Sequence, residues 1–144
     1  MGPGPFGIVP FAGVKFLGYC AAGLVLDRVY TTSAPTPAPM VRERSRRPIA
    51  FGVARTLLGI AAGAAYAGAW YLAGAEPTLA GWWLGLLPVR LLEWSILIWW
   101  FFDRHLEQPL RLAKHSFIGA LWSFALDVPA LLAVWVTPGA MWVC

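Results

Sequence analysis

Charge is what this chain has least of. Asp, Glu, Lys and Arg make up only 12% of its 144 residues, about half the roughly 25% of an ordinary soluble domain. A water-exposed globular domain of this size needs more charge to cover its surface, so that class is excluded. Cysteine is scarce as well. Cys20 lies inside an apolar block and Cys144 is the last residue. Two cysteines so placed make neither a disulfide framework nor a zinc pattern, and report nothing about redox compartment. The first residues, MGPGPFG, hold no Lys or Arg side chain. A secretory signal needs a basic n-region and a small-residue cleavage site, so the first apolar block is expected to be a retained span. Internal repeats, heptads and a nucleotide-binding glycine signature are lacking too.

What is present is apolar surface in long blocks. Hydrophobic residues make up 59% and mean hydropathy is +0.64. The blocks predict an all-α integral membrane protein, a single domain over 1–144 with four transmembrane helices in one bundle. The expected spans are 6–26, 49–74, 79–102 and 115–136. Each matches or exceeds the roughly 20 residues that cross about 30 Å of hydrocarbon. A membrane barrel needs shorter segments of alternating hydrophobicity, whereas these blocks are continuous.

Three connections remain. Residues 31–48, TTSAPTPAPMVRERSRRP, are rich in proline and arginine and are expected to be irregular. Residues 75–78 make a tight turn around Glu76-Pro77. Residues 103–114, DRHLEQPLRLAK, read as a loop or a short interfacial helix broken by Pro109. The net charge is +4, but its distribution speaks against nucleic acid. Arg28, Arg42, Arg44, Arg46, Arg47, Arg104, Arg111 and Lys114 all fall on one side of the four-span arrangement. The opposite side has no Lys or Arg side chain, only Glu76. The positive-inside rule then predicts a multi-pass inner (plasma) membrane protein with the loops 31–48 and 103–114 cytoplasmic and both termini outside. Arg42, Arg44, Arg46 and Arg47 are expected to meet membrane lipids through anionic headgroups, each contributing ~1 kcal/mol near the surface. A homo-oligomer or a larger membrane complex is compatible with the chain, and no cofactor or metal is called for.

Five ionisable residues fall inside the spans: Lys15, Arg55, Arg90, Glu93 and Asp127. Such residues are costly in lipid and mark functional sites by default. Helical rise puts Lys15 about 18 Å from the cytoplasmic end, Arg90 and Asp127 about 20 Å, and Glu93 about 15 Å. These four make one neutral layer, as mutual pairing requires. Arg55 lies lower, about 12 Å above Arg47, where it could snorkel to the cytoplasmic face, as Lys15 could to the other.

Helix faces agree with the layer. Arg90 and Glu93 are three apart and share a face. Ser116, Gly119, Ala120, Ser123, Asp127 and Ala130 form one stripe, of the small and hydroxyl kind that faces a bundle interior. Arg55, Gly59, Ala62 and Tyr66 form another, and Gly59-x3-Gly63-x3-Ala67 offers a close-approach surface beside it. Pro88 and Pro129 sit next to the layer, where each frees a backbone carbonyl.

Trp82, Trp83 and Trp142 read as an outer interfacial belt, and Trp99 and Trp100 as the cytoplasmic one. Trp94 and Trp122 lie deeper and could wall a pocket, although packing against lipid or core is their commoner role. Asp103, His105, Glu107 and His115 cluster near one end, with a spacing that matches no strong metal motif.

The expected function is binding or translocation of a small solute or proton through a charged intramembrane cavity. Glu93 and Asp127 are the titrating groups, equally the acid and base of a catalytic reading. Arg90, Trp94, Ser123, Lys15, Arg55, Tyr66 and Trp122 are the candidate ligand-binding residues. Two rivals stand beside it. One is a membrane-embedded enzyme acting on a lipid or isoprenoid. The other is a non-catalytic subunit whose charges pair with partner helices. The charges could also be ion pairs that only hold the helices in register.

Overall fold

A computed structural model describes residues 7–31, 41–74 and 78–136. It is all helical, with four helices: α1 (Ile8–Thr31), α2 (Val41–Leu72), α3 (Leu79–Phe101) and α4 (Pro109–Val136). Three segments are long and apolar enough to cross a membrane: Ile8–Thr31, Arg47–Leu72 and Ala80–Phe101. The less apolar α4 carries Arg111, Lys114, His115 and Asp127 and completes the bundle.

Each helix runs antiparallel to its neighbours. Cys20 meets Gly52 across α1 and α2, Tyr66 meets Gly85 across α2 and α3, Trp94 meets Gly119 across α3 and α4, and Gly18 meets Leu126 across α1 and α4. The four form a closed ring in which α1 and α3 stand diagonally, as do α2 and α4.

The irregular stretch expected over 31–48 is corrected in its second half. Residues 41–48 form the first two turns of α2, with Pro48 inside the helix. Arg and Glu are good helix formers, and one proline removes only one backbone donor and bends rather than ends a helix held by packing. Pro48 is held in this way, since its backbone lies close against Gly23 of α1. Residues 32–40, the Glu76-Pro77 turn, Trp142 and Cys144 lie outside the described residues, as do the side chains of Arg42, Arg44 and Arg46.

The connection before α4 is also corrected. Pro109 does not break a helix but opens one. Proline suits a first helical position, where its missing N–H has no partner to lose. Asp103 organises the turn ahead of it: its carboxylate accepts from the backbone N–H of Glu107 at 3.0 Å and of Gln108 at 3.4 Å. Leu106 takes the left-handed conformation there, with φ of 52°. At the other end of α3, Thr78 is the N-cap and its hydroxyl accepts from the Gly81 N–H at 3.1 Å.

The apolar core sits toward the end of the bundle where α1 and α3 finish and α2 and α4 begin. Phe51, Trp94, Leu97, Ile98, Leu26 and Ala120 are buried there together. Phe51 touches Trp94, Phe101 and Phe102 ring to ring. Without a hydrophobic drive between helices in lipid, such packing and interhelical hydrogen bonds hold a bundle together. The stripe on α4 faces this interior: Ser116, Gly119, Ala120, Ser123, Asp127 and Ala130 are all buried.

The close-approach surface expected at Gly59-x3-Gly63-x3-Ala67 is not one. No atom lies within 4 Å of where a Gly63 Cβ would stand, and a Gly59 Cβ would meet the guanidinium of Arg55. Helices approach closely elsewhere, at Gly18, Gly23, Gly52 and Gly119.

Candidate functional site: a charged cavity among four helices

All five intramembrane ionisable residues line one cavity of about 390 Å³. Lys15 comes from α1, Arg55 from α2, Arg90 and Glu93 from α3, and Asp127 from α4. The antiparallel ring explains the convergence. Residues near the middle of each span share a depth, and the stripes turn them inward.

Two ion-pair groups fill the polar end. Asp127 accepts from two cations: Arg90 Nη2 donates to its Oδ2 at 2.6 Å, and Lys15 Nζ pairs with its Oδ1. Arg55 Nη2 lies 2.9 Å from Glu93 Oε2 and donates to Ser123 Oγ at 3.1 Å. Trp94 Nε1 donates to the same Ser123 Oγ at 2.9 Å. Aromatic faces back the cations, as ring quadrupoles favour. Arg55 lies 4.9 Å from the centre of the Tyr19 ring and 5.5 Å from that of Trp94, and Arg90 lies 4.0 Å from that of Phe124. Lys15 lies over Phe11 at 4.6 Å.

Arg55 therefore belongs to the layer and does not snorkel away from it. It is only 2% exposed. Counting residues along the helix gave the depth of its Cα but not the reach of its side chain, which extends along the helix to Glu93. The layer expected to be neutral instead holds three cations and two carboxylates. Arg90 and Glu93 share a face of α3, yet each takes its partner from another helix.

Several buried atoms in this group have no hydrogen-bond partner: Arg55 Nε and Nη1, Arg90 Nη1, and Glu93 Oε1. Buried polar groups are ordinarily satisfied, and a charged one left unmatched is costly.

The remaining candidates divide. Trp94 is 1% exposed and stands behind Arg55, held by Ser123 and packed over Gly119. Trp94 and Ser123 thus position Arg55 without lining the cavity. Tyr66 stands beside the cavity, donating to the Trp82 carbonyl at 3.2 Å and packing edge-on to the Trp82 ring. Trp122 is separate. It is exposed on the outer side of α4, and its indole N–H donates to the Gly18 carbonyl at 3.1 Å. It ties α4 to α1 and does not line this cavity.

Sequence reasoning assigned Trp82 and Trp83 to an interfacial belt; both line the cavity. It passed over Tyr19 and Phe124, whose rings hold the two arginines. Tyr19 follows Lys15 by four residues and so shares its helix face, a signal that was there to be used. Phe124 precedes Asp127 by three residues and carries the same mark.

Trp99 and Trp100 lie in the last turn of α3. Trp99 Nε1 donates to the Arg104 carbonyl at 3.1 Å and Arg104 lies over Trp100. The acidic and histidine residues nearby go separate ways. Asp103 caps its loop, His105 and Glu107 are exposed, and His115 Nδ1 meets the Tyr30 hydroxyl at 3.2 Å. Arg47 is exposed at the start of the membrane segment of α2.

No protein-family model, no curated protein and no solved structure matches the chain.

Proposed function

We propose that the protein binds a small solute in this intramembrane cavity, with Glu93 and Asp127 as its titrating groups and Arg90, Arg55 and Lys15 as the charges that hold them. One observation carries the reading. The five ionisable side chains line a cavity, and Arg55, Arg90 and Glu93 keep buried polar atoms uncommitted. A lock that only fixed helix register would spend those atoms on its own side chains. The volume falls within the roughly 300–1,000 Å³ of ordinary ligand pockets. Transfer of the solute or of a proton across the bilayer is the task such a site at membrane depth serves. Asp127 is held by two cations, while Glu93 keeps one oxygen free to exchange a proton with a ligand.

The asymmetry of the basic loops supports an inner-membrane location with both termini outside, with Arg42, Arg44, Arg46 and Arg47 meeting anionic headgroups. Labelling Cys144 in intact cells with an impermeant thiol reagent tests the orientation; protection of an inserted protein reverses it. The site is tested by Glu93→Gln and Asp127→Asn, which keep shape and hydrogen-bonding capacity but do not ionise. Both are expected to insert and to lose solute uptake or pH-dependent binding in liposomes. Full activity of both variants across a pH series would sink the proton-exchanging role. Failure of both to fold would leave the register lock as the better account.

A further inference from the structure

We infer that the ligand of this cavity is an amphiphile entering from the bilayer: a small monoanionic head that carries one O–H, as in a phosphate monoester, on an apolar chain. The inference rests on the solute-binding reading above and specifies its chemistry.

The head is set by charge and by donor count. Three cations face two carboxylates, so the site carries one positive charge in excess. A buried charge of that kind calls for a counter-charge. The free atoms agree in kind. Arg55 Nε and Nη1 and Arg90 Nη1 are donors without acceptors, whereas Glu93 Oε1 is an acceptor without a donor. An anion with several oxygens answers the guanidiniums, which suit phosphate well. One remaining O–H answers Glu93. A cation would add to the excess, and a neutral head would leave it.

The chain is set by the rest of the wall. Away from the charges the cavity is lined by Ile8, Phe11, Ile60, Leu86 and Trp83. Its rim gives the route. Ile8 is 54% exposed and Ile60 is 55% exposed, though both line the cavity. Gly63 has open space where a side chain would be. Ile60 and Gly63 lie in the middle of the Arg47–Leu72 segment, so an opening beside them meets hydrocarbon rather than water. A chain can lie in that opening while its head reaches the arginines.

The test uses the full-length protein in nanodiscs of neutral phosphatidylcholine, with empty nanodiscs as the blank. Octyl phosphate, inorganic phosphate, octyltrimethylammonium and octanol are titrated while tryptophan emission and thermal unfolding are followed. Octyl phosphate is expected to bind at least tenfold more tightly than the other three and to raise the unfolding temperature. Arg55→Lys keeps the charge opposite Glu93 but removes the two free donors, and is expected to weaken octyl phosphate at least tenfold. Gly59→Ala presses on Arg55 Nη1 without changing any charge, and is expected to weaken it severalfold.

Equal binding of inorganic phosphate overturns the chain. Equal or tighter binding of octyltrimethylammonium or octanol overturns the anionic head while the cavity remains a binding site. Unchanged octyl phosphate affinity in both folded variants overturns the assignment to these arginines. Failure of all four probes to bind overturns the inference and the solute-binding reading together.

Discussion

The two halves of the bundle differ in how they treat buried charge. In the half nearer the basic loops, several polar side chains find partners within the chain, although the buried Ser116 hydroxyl does not. Tyr30 meets His115, Arg111 donates to the Val29 carbonyl at 2.7 Å, and Asp103 caps the turn before α4. Between them Phe51, Trp94, Leu97 and Ile98 pack with little exposed surface. In the other half, Arg55, Arg90 and Glu93 are equally buried but keep atoms without partners beside a cavity. Both halves rest on the same four helices, so the difference does not come from secondary structure. It comes from which helices approach. Gly18, Gly23, Gly52 and Gly119 bring backbones close to neighbouring side chains, whereas Gly63 faces open space. In the second half Gly85 still approaches Tyr66, so the opening is local to Gly63.

The largest effect should come from removing the carboxylate that two cations share. Asp127→Ala leaves Lys15 and Arg90 without a counter-charge, and breaking a buried pair costs about 3–5 kcal/mol. Unfolding in detergent or lipid should show that loss. Arg90→Ala should also destabilise, and the double variant should cost less than the two singles added, because contacting residues couple. Additive costs would mean that the two side chains do not depend on one another, and the polar half would lose its organising contact.

Next in size is a change in the closed half. A Cβ at Gly119 would run into the Trp94 ring. Trp94 is fully enclosed and is tied to Ser123, so it has little freedom to retreat. Gly119→Ala should therefore cost roughly 1–3 kcal/mol, the usual range for overpacking. Since Trp94 stands behind Arg55, the same variant should also weaken octyl phosphate binding. A Gly119→Ala protein as stable as the parent would show that α3 and α4 pack less tightly than the contact with Trp94 requires.

How much of this was legible beforehand follows from the same contrast. Long apolar blocks gave the helical bundle, because length and hydropathy act locally along the chain. The α4 stripe and the depth of Lys15, Arg90, Glu93 and Asp127 were legible for the same reason, since helical geometry converts spacing into face and height. Partner choice was not. Arg90 turns to Asp127 rather than to nearby Glu93, and Arg55 reaches Glu93 from a lower turn, because contacts between helices depend on the order of the ring. Pro48 and Pro109 were misread as signs of irregular chain. Whether proline ends, bends or begins a helix depends on what packs against it and on what caps the turn before it. Gly63 was misread through a motif that needs a facing helix, and residue spacing alone does not supply one.

The smallest expected effect on stability gives the sharpest test of the comparison. Gly63 lines the cavity, and nothing stands within 4 Å of its missing Cβ. Glycine inside a helix is disfavoured against other residues by up to roughly 1 kcal/mol. Gly63→Leu should thus leave the unfolding free energy within about 0.5 kcal/mol of the parent or raise it slightly. Its side chain would then occupy space that an apolar chain needs. Octyl phosphate binding in nanodiscs should fall at least tenfold, with Lys15, Arg90 and Asp127 untouched. Gly119→Leu is the control from the closed half, and should fail to fold or unfold far earlier. If Gly63→Leu destabilises the protein as strongly as Gly119→Leu, the second half is packed and there is no open cavity beside α2. If it is stable and binds octyl phosphate as the parent does, the ligand sits elsewhere, and the unpartnered atoms of Arg55, Arg90 and Glu93 need another explanation.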